Sequence, residues 1–220
     1  MENSPKKKNT NIGYWEQVLE APTPAYQELF SAEREYLGKH ILPDSFVLDI
    51  GCGEGRNMQS ILQNTKNVYG IDNDPKAVED AKKKFGEIET VQVVVASADS
   101  LPFENETFDT VTFLMILPNL ENNKESSISE SARVLKKGGK LILSTFSETA
   151  FDERMKIYKM LNAPIKKVEG TKVVFDESLG ANTSEQFSLD ELKSLGEKTG
   201  LKIIDSVKVG DIAYIVTYEK

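Results

Sequence analysis

One cysteine and one histidine in 220 residues leave this chain almost nothing with which to build a zinc site, and a lone cysteine excludes an internal disulfide. Basic charge is short as well: 27 lysines and arginines stand against 35 aspartates and glutamates, a formal net charge of −8. Surfaces that track nucleic-acid phosphates carry a basic stripe, so long RNA or DNA is not the expected partner. No apolar run approaches the roughly 20 residues that cross a bilayer, and the opening MENSPKKKNTN has no apolar signal core. A cytoplasmic chain off the membrane is expected. No Ser-His-Asp or Cys-His arrangement offers a covalent nucleophile, and no Gly-x-x-x-x-Gly-Lys offers a P-loop. What is present, 39% hydrophobic and 28% charged residues, suits a globular domain with a substantial core.

The most informative stretch is Val47-Leu-Asp-Ile-Gly-Cys-Gly-Glu-Gly-Arg-Asn57, a short apolar strand that runs directly into three alternate glycines and then a helix. Gly51, Gly53 and Gly55 give a turn without Cβ atoms, against which a nucleotide-like ligand can lie, and the helix start offers unpaired N–H groups. A dinucleotide fingerprint needs a small residue where Arg56 stands, which weakens an NAD reading. With Asp49 two places before the first glycine, the pattern acidic-x-Gly-x-Gly-x-Gly closely resembles motif I of class I S-adenosylmethionine (SAM) methyltransferases.

The rest of the chain can be ordered around that stretch. Residues 1–11 are polar and lysine-rich, a frayed tail. Residues 12–220 are expected to form one domain, with leading helices over 12–42. Tyr14 and Trp15, with Val18 and Leu19, make a short amphipathic piece that would serve as packing or as a lid over the ligand. From Pro24, helical spacing runs to Ile41, and Pro43-Asp44 stop it. Strands are expected at Phe46–Ile50, Asn67–Asp72, Val91–Ala96, Asp109–Met115 and Gly139–Phe146. The intervening helices include one with Pro75 in its first turn and one over Lys124–Lys136. Near-continuous apolar strands alternating with helices argue a parallel sheet covered on both faces. Ser188 and Glu191 form a capping box, and two strands meeting at Gly210-Asp211 are too close for a crossover, hence antiparallel. The expected fold is therefore α/β and doubly wound: a mostly parallel sheet with a C-terminal antiparallel hairpin, seven-stranded as the resemblance implies.

The resemblance covers roughly Phe46 to Phe146 and implies a site. Asp72, about 20 residues beyond the first glycine, is spaced to reach ribose hydroxyls, and Asn73 would touch adenine. Ala98 and Asp99 end the third strand, where the family places an acid on the adenine amino group. Phe113 stands near the end of the fourth strand, where the family lines the methionine portion. Asp49 and Cys52 complete the expected cofactor set with the three glycines. Cys52 reads as a small turn residue, His40 as a helix end and Asp109 as an anchor at a strand start. The cofactor implied is SAM, with S-adenosylhomocysteine as product, and no metal.

A sulfonium methyl is already activated, so holding an acceptor in line and excluding water is most of the catalytic task. No general base is evident. The Asn-Pro-Pro-Tyr-type motif of nucleic-acid amino methylases is replaced by Leu117-Pro118-Asn119, which with the acidic charge favours a small-molecule acceptor; a monomer or homodimer is expected. A methyltransferase acting on tRNA or protein, or a SAM-binding module without turnover, would share these motifs. Residues 151–187 are longer than a crossover needs and are expected to form an inserted cap, with a helix over Phe151–Leu161, a short strand at Lys172–Phe175 and a loop at Gly180–Ser184. Met155 and Tyr158 share a helical face there and are expected to wall the acceptor pocket.

Overall fold

The computed structural model describes residues 17–18, 22–176 and 183–220. Helix α1, Pro24–His40, opens on proline at its first turn and closes on Lys39 and His40, each suited to its end of the helix dipole. Its inward face is Tyr26, Leu29, Glu33, Tyr36 and Leu37. Strand β1, Val47–Ile50, is buried throughout. There follow α2 (Arg56–Ile61), β2 (Val68–Asp72), α3 (Pro75–Phe85), β3 (Val91–Val95), β4 (Phe108–Leu114), α4 (Lys124–Val134) and β5 (Leu135–Phe146). The chain ends in α6 (Leu189–Lys198), β9 (Lys202–Val209) and β10 (Ala213–Glu219).

These strands make one seven-stranded sheet in the order β3-β2-β1-β4-β5-β10-β9. Strands β1 to β5 run parallel, and β10 enters antiparallel between β5 and β9. Alternate residues feed two cores, one with Leu48, Ile50, Phe113, Leu143 and Val216, the other with Val47, Leu114, Ile142 and Ile215. The strand order turns back between β1 and β4, so the crevice for a ligand lies at their carboxyl ends.

Residues 151–187 contain α5 (Phe151–Met160) and a separate three-stranded sheet of β6 (Ile165–Glu169), β7 (Lys172–Phe175) and β8 (Thr183–Ser184). The chain leaves β5 at Phe146 and returns beside it, where the Phe187 N–H donates to the Phe146 carbonyl at 2.9 Å. Strand β6 was not expected from the sequence, although Gly170 (φ 60°) with Thr171 supplies a two-residue hairpin turn before β7. Thr183 and Ser184, expected in a loop, pair with β7 instead, because their backbone groups complete its free edge. The rest of that expected loop, and Tyr14, Trp15 and Leu19, lie outside the described residues.

Candidate functional site

The three glycines after β1 all have positive φ, 69°, 53° and 88° at Gly51, Gly53 and Gly55, but for different purposes. A Cβ on Gly51 would stand 2.2 Å from Ile116 Cδ1, and one on Gly55 would stand 2.2 Å from Phe85 Cε2. Both are set by packing. A Cβ on Gly53 would meet no atom within 4 Å, so here the bare backbone faces open space. That is the surface a flat ligand needs.

Asp72, at the end of β2, turns its carboxylate toward this loop. Oδ2 accepts the Gly53 N–H at 2.9 Å and Oδ1 accepts the Asp74 N–H at 2.9 Å. A carboxylate has about four lone-pair positions, so both oxygens keep capacity for further donors. Asp74 is the cap of α3, accepting from the Lys76 N–H at 2.8 Å, and Asn73 between them is exposed.

Asp49 is fully buried in β1. Its Oδ1 accepts the Thr112 hydroxyl at 2.6 Å, while Oδ2 has no partner. Burial pushes its carboxyl from 3.8 up to about 7, against the Thr112 hydrogen bond and the Arg56 charge, with Asp72 and Glu33 adding to the rise. An orphaned buried carboxylate oxygen beside a glycine loop is an acceptor waiting for a cationic donor. Cys52 is 4% exposed, and burial first, then the charges of Asp49 and Asp72, hold its thiol in the protonated form, so it is a packing residue of the turn.

The other expected positions divide. Ala98 and Asp99 sit half-buried after β3, where Asp99 Oδ1 accepts the Ser97 hydroxyl at 2.5 Å. Phe113 lies one residue before the last of β4, in a sheet covered on both faces, and its ring is packed in the core with no exposure, so its side chain does not face the crevice. The residues at the exit of β4 are Met115 and Ile116. Tyr158 is 1% exposed, its hydroxyl donates to Ser184 Oγ at 2.8 Å and its ring meets Phe175 edge-on. It belongs to the interior packing of α5 against β7 and β8, while Met155 is half-buried. The turn of α5 explains the difference, since the buried positions are Arg154, Ile157 and Tyr158. Asp109 anchors β4 as expected, accepting the Phe46 N–H at 2.9 Å and pairing with Lys136 at 2.7 Å.

One group was missed. Glu33 is 1% exposed, pairs with Arg56 at 2.7 Å and accepts the Ser144 hydroxyl at 2.5 Å. The Arg56 guanidinium also lies 4.4 Å from the centre of the Phe30 ring. The signal was available, for Glu33 is a charge placed on the apolar stripe of α1 between Leu29 and Leu37. Among the described residues, no three His, Cys, Asp or Glu side chains are grouped to hold a metal ion, and no described helix is long and apolar enough to cross a membrane.

Residues 48–143 match a family model described as a methyltransferase domain. An uncharacterised protein of Methanocaldococcus jannaschii is 28% identical over 203 residues, 87% of this chain and 76% of that one. The ubiquinone/menaquinone biosynthesis C-methyltransferase UbiE of Shewanella halifaxensis is 27% identical over 179 residues, 77% of this chain and 71% of that one. The 1,6-didemethyltoxoflavin-N1-methyltransferase of Burkholderia thailandensis, solved with 1,6-didemethyltoxoflavin and S-adenosylhomocysteine, has a TM-score of 0.66 at 18% identity, covering 94% of this chain and 83% of that one. At that identity the likeness is one of fold.

Proposed function

We propose that this chain, which belongs to the class I SAM-dependent methyltransferases through its domain at residues 48–143, transfers a methyl group to an O, N or C atom of a small-molecule acceptor. SAM, when bound, supplies a methyl group on a sulfonium, a leaving group that needs no further activation. The observation that carries the site is the open flank of Gly53, held by the Asp72 carboxylate at the point where the strand order turns back. The set of acceptors fits the cofactor. Asp72 would accept from ribose hydroxyls with its remaining lone pairs, Asp99 from the adenine amino group with Asn73 and Ala98 beside it, and the orphaned Asp49 Oδ2 from the ammonium of the methionine portion. The work left to the protein is orientation and exclusion of water, which suits a cap that leaves and rejoins the end of β5.

A small acceptor is supported by the net charge of −8 and by the names of two similar proteins, one in ubiquinone/menaquinone biosynthesis and one a 1,6-didemethyltoxoflavin methyltransferase. The cap, with the half-buried Met155, is the wall of the acceptor side. Calorimetry with SAM, S-adenosylhomocysteine and NAD tests the cofactor; heat from NAD and none from SAM would overturn it. Formation of S-adenosylhomocysteine across a panel of cell metabolites tests the acceptor class, and turnover with tRNA or protein alone would replace it.

A further inference from the structure

Five residues close a circuit around the crevice, with Glu33 at its middle. One arm runs to the glycine loop: Arg56, the first residue of α2 after Gly55, donates from Nη2 to Glu33 Oε2 at 2.7 Å. The other arm runs to the opposite wall. Ser144 Oγ donates its proton to Glu33 Oε1 at 2.5 Å and accepts the Met115 N–H at 3.0 Å. A hydroxyl has one proton, so its donation to Glu33 fixes its lone pair toward Met115.

Met115 stands in the left-handed region at φ 60°, which a residue with a Cβ occupies only when its surroundings impose it. The residue it aims is Ile116, whose Cδ1 fills the space left by the missing Cβ of Gly51. The circuit thus returns to the loop from which it started. Glu33 is also an expensive choice for mere packing, because a buried ion pair is commonly matched in stability by apolar side chains of similar volume.

We infer that Glu33 is a positioning residue for cofactor binding, holding the left-handed exit of β4 through Ser144 and the start of α2 through Arg56, so that both walls of the crevice are set before a ligand arrives. This rests on the reading that SAM occupies that crevice. Glu33→Gln keeps the shape but turns an amide N–H toward Arg56 or Ser144, breaking one arm; Ser144→Ala breaks the Met115 arm alone and leaves the Met115 N–H its bond to the Ser144 carbonyl at 3.0 Å. Met115→Gly removes the backbone strain that the circuit restrains.

The test is calorimetry of the full chain with SAM and with S-adenosylhomocysteine, beside thermal melts without ligand. Glu33→Gln and Ser144→Ala are each expected to weaken both ligands by about tenfold or more, and Ser144→Ala placed on Met115→Gly to lose less than about threefold, the mark of two residues acting as one. A Glu33→Gln chain that melts earlier yet binds SAM as before, or an equal loss from Ser144→Ala in both backgrounds, would overturn the inference while leaving the cofactor reading intact. No heat from either ligand with the unaltered chain would overturn that reading and this inference with it.

Discussion

The Asp72 carboxylate accepts the Gly53 N–H at 2.9 Å, so the acid at the end of β2 holds in place the one glycine of the loop whose flank is open. Position and affinity are therefore joined in one side chain. Sequence spacing alone suggests a ribose ligand that can be removed without other effect, but the structure makes Asp72 a brace for the loop as well.

Asp72→Ala is accordingly expected to weaken SAM binding by at least about 1.5–3 kcal/mol, the range for hydrogen bonds to a charged group. It should also speed amide exchange at Gly53 in the absence of ligand. Unchanged affinity would move the ribose site elsewhere; weaker affinity with unchanged exchange at Gly53 would show that the brace is not needed.

Gly51→Ala and Gly53→Ala separate packing from binding. The first places a Cβ 2.2 Å from Ile116 Cδ1 and is expected to lower the melting temperature sharply. The second meets no atom and costs only the left-handed backbone, about 1–2 kcal/mol, yet on the proposed reading its methyl group would stand where SAM lies and should weaken its binding. A Gly53→Ala chain that binds SAM normally would place the ligand on another face of the loop.

Asp49 predicts a pH dependence with a definite sign. Its carboxyl stays protonated in the fold up to about 7, while in the unfolded chain it ionises near its ordinary 3.8. Between those values the unfolded state has released the proton and the folded state has not, so this group lowers stability as pH rises, and the full cost is present above about 7. Asp49→Asn should raise the melting temperature at pH 8, leave it unchanged at pH 3, and weaken SAM binding through loss of the charged acceptor. A melting temperature lowered equally at both pH values would mean that the carboxyl ionises alike in the folded and the unfolded chain.

The cap offers a contrast between two residues three positions apart. Tyr158→Phe removes a buried hydrogen bond to Ser184 and should cost about 0.5–1.5 kcal/mol of stability. Met155→Ala, at a half-buried position, should lower turnover of the acceptor more than SAM affinity. Equal losses in both from Met155→Ala would assign it to the core and leave the acceptor wall to other residues.

Much of this fold is legible in the sequence because its signals are local. Ser188 and Glu191 form both halves of the capping box they spell, and Asp74 caps the helix that Pro75 opens. The strand expected at Asp109–Met115 is found one residue earlier, at Phe108–Leu114. What is not legible depends on facing. Phe113 and Met115 are apolar residues two positions apart that a continuing strand would place on one face, and only the end of β4 and the left-handed backbone of Met115 separate the ring in the core from the residue that turns at the strand exit. Strand β6 escapes notice because Ile165-Lys-Lys-Val-Glu169 buries almost nothing and is held by pairing with β7 rather than by an apolar face. Glu33 declares itself as an anomaly in a helix, but its partners are Arg56 and Ser144, far away in the chain.

The insertion of β10 between β5 and β9 has a consequence for the order of assembly. Phe146 pairs with Ala213 and Lys140 with Glu219, so one whole side of β5 has its backbone partners only in the final stretch of the chain. While synthesis proceeds, α1 through β5 can dock, but a row of amides and carbonyls, flanked by Leu141 and Leu143, must wait for those residues to emerge. A ribosome stalled after α6 would release a product with a sticky open margin, suited to pairing with its own copies.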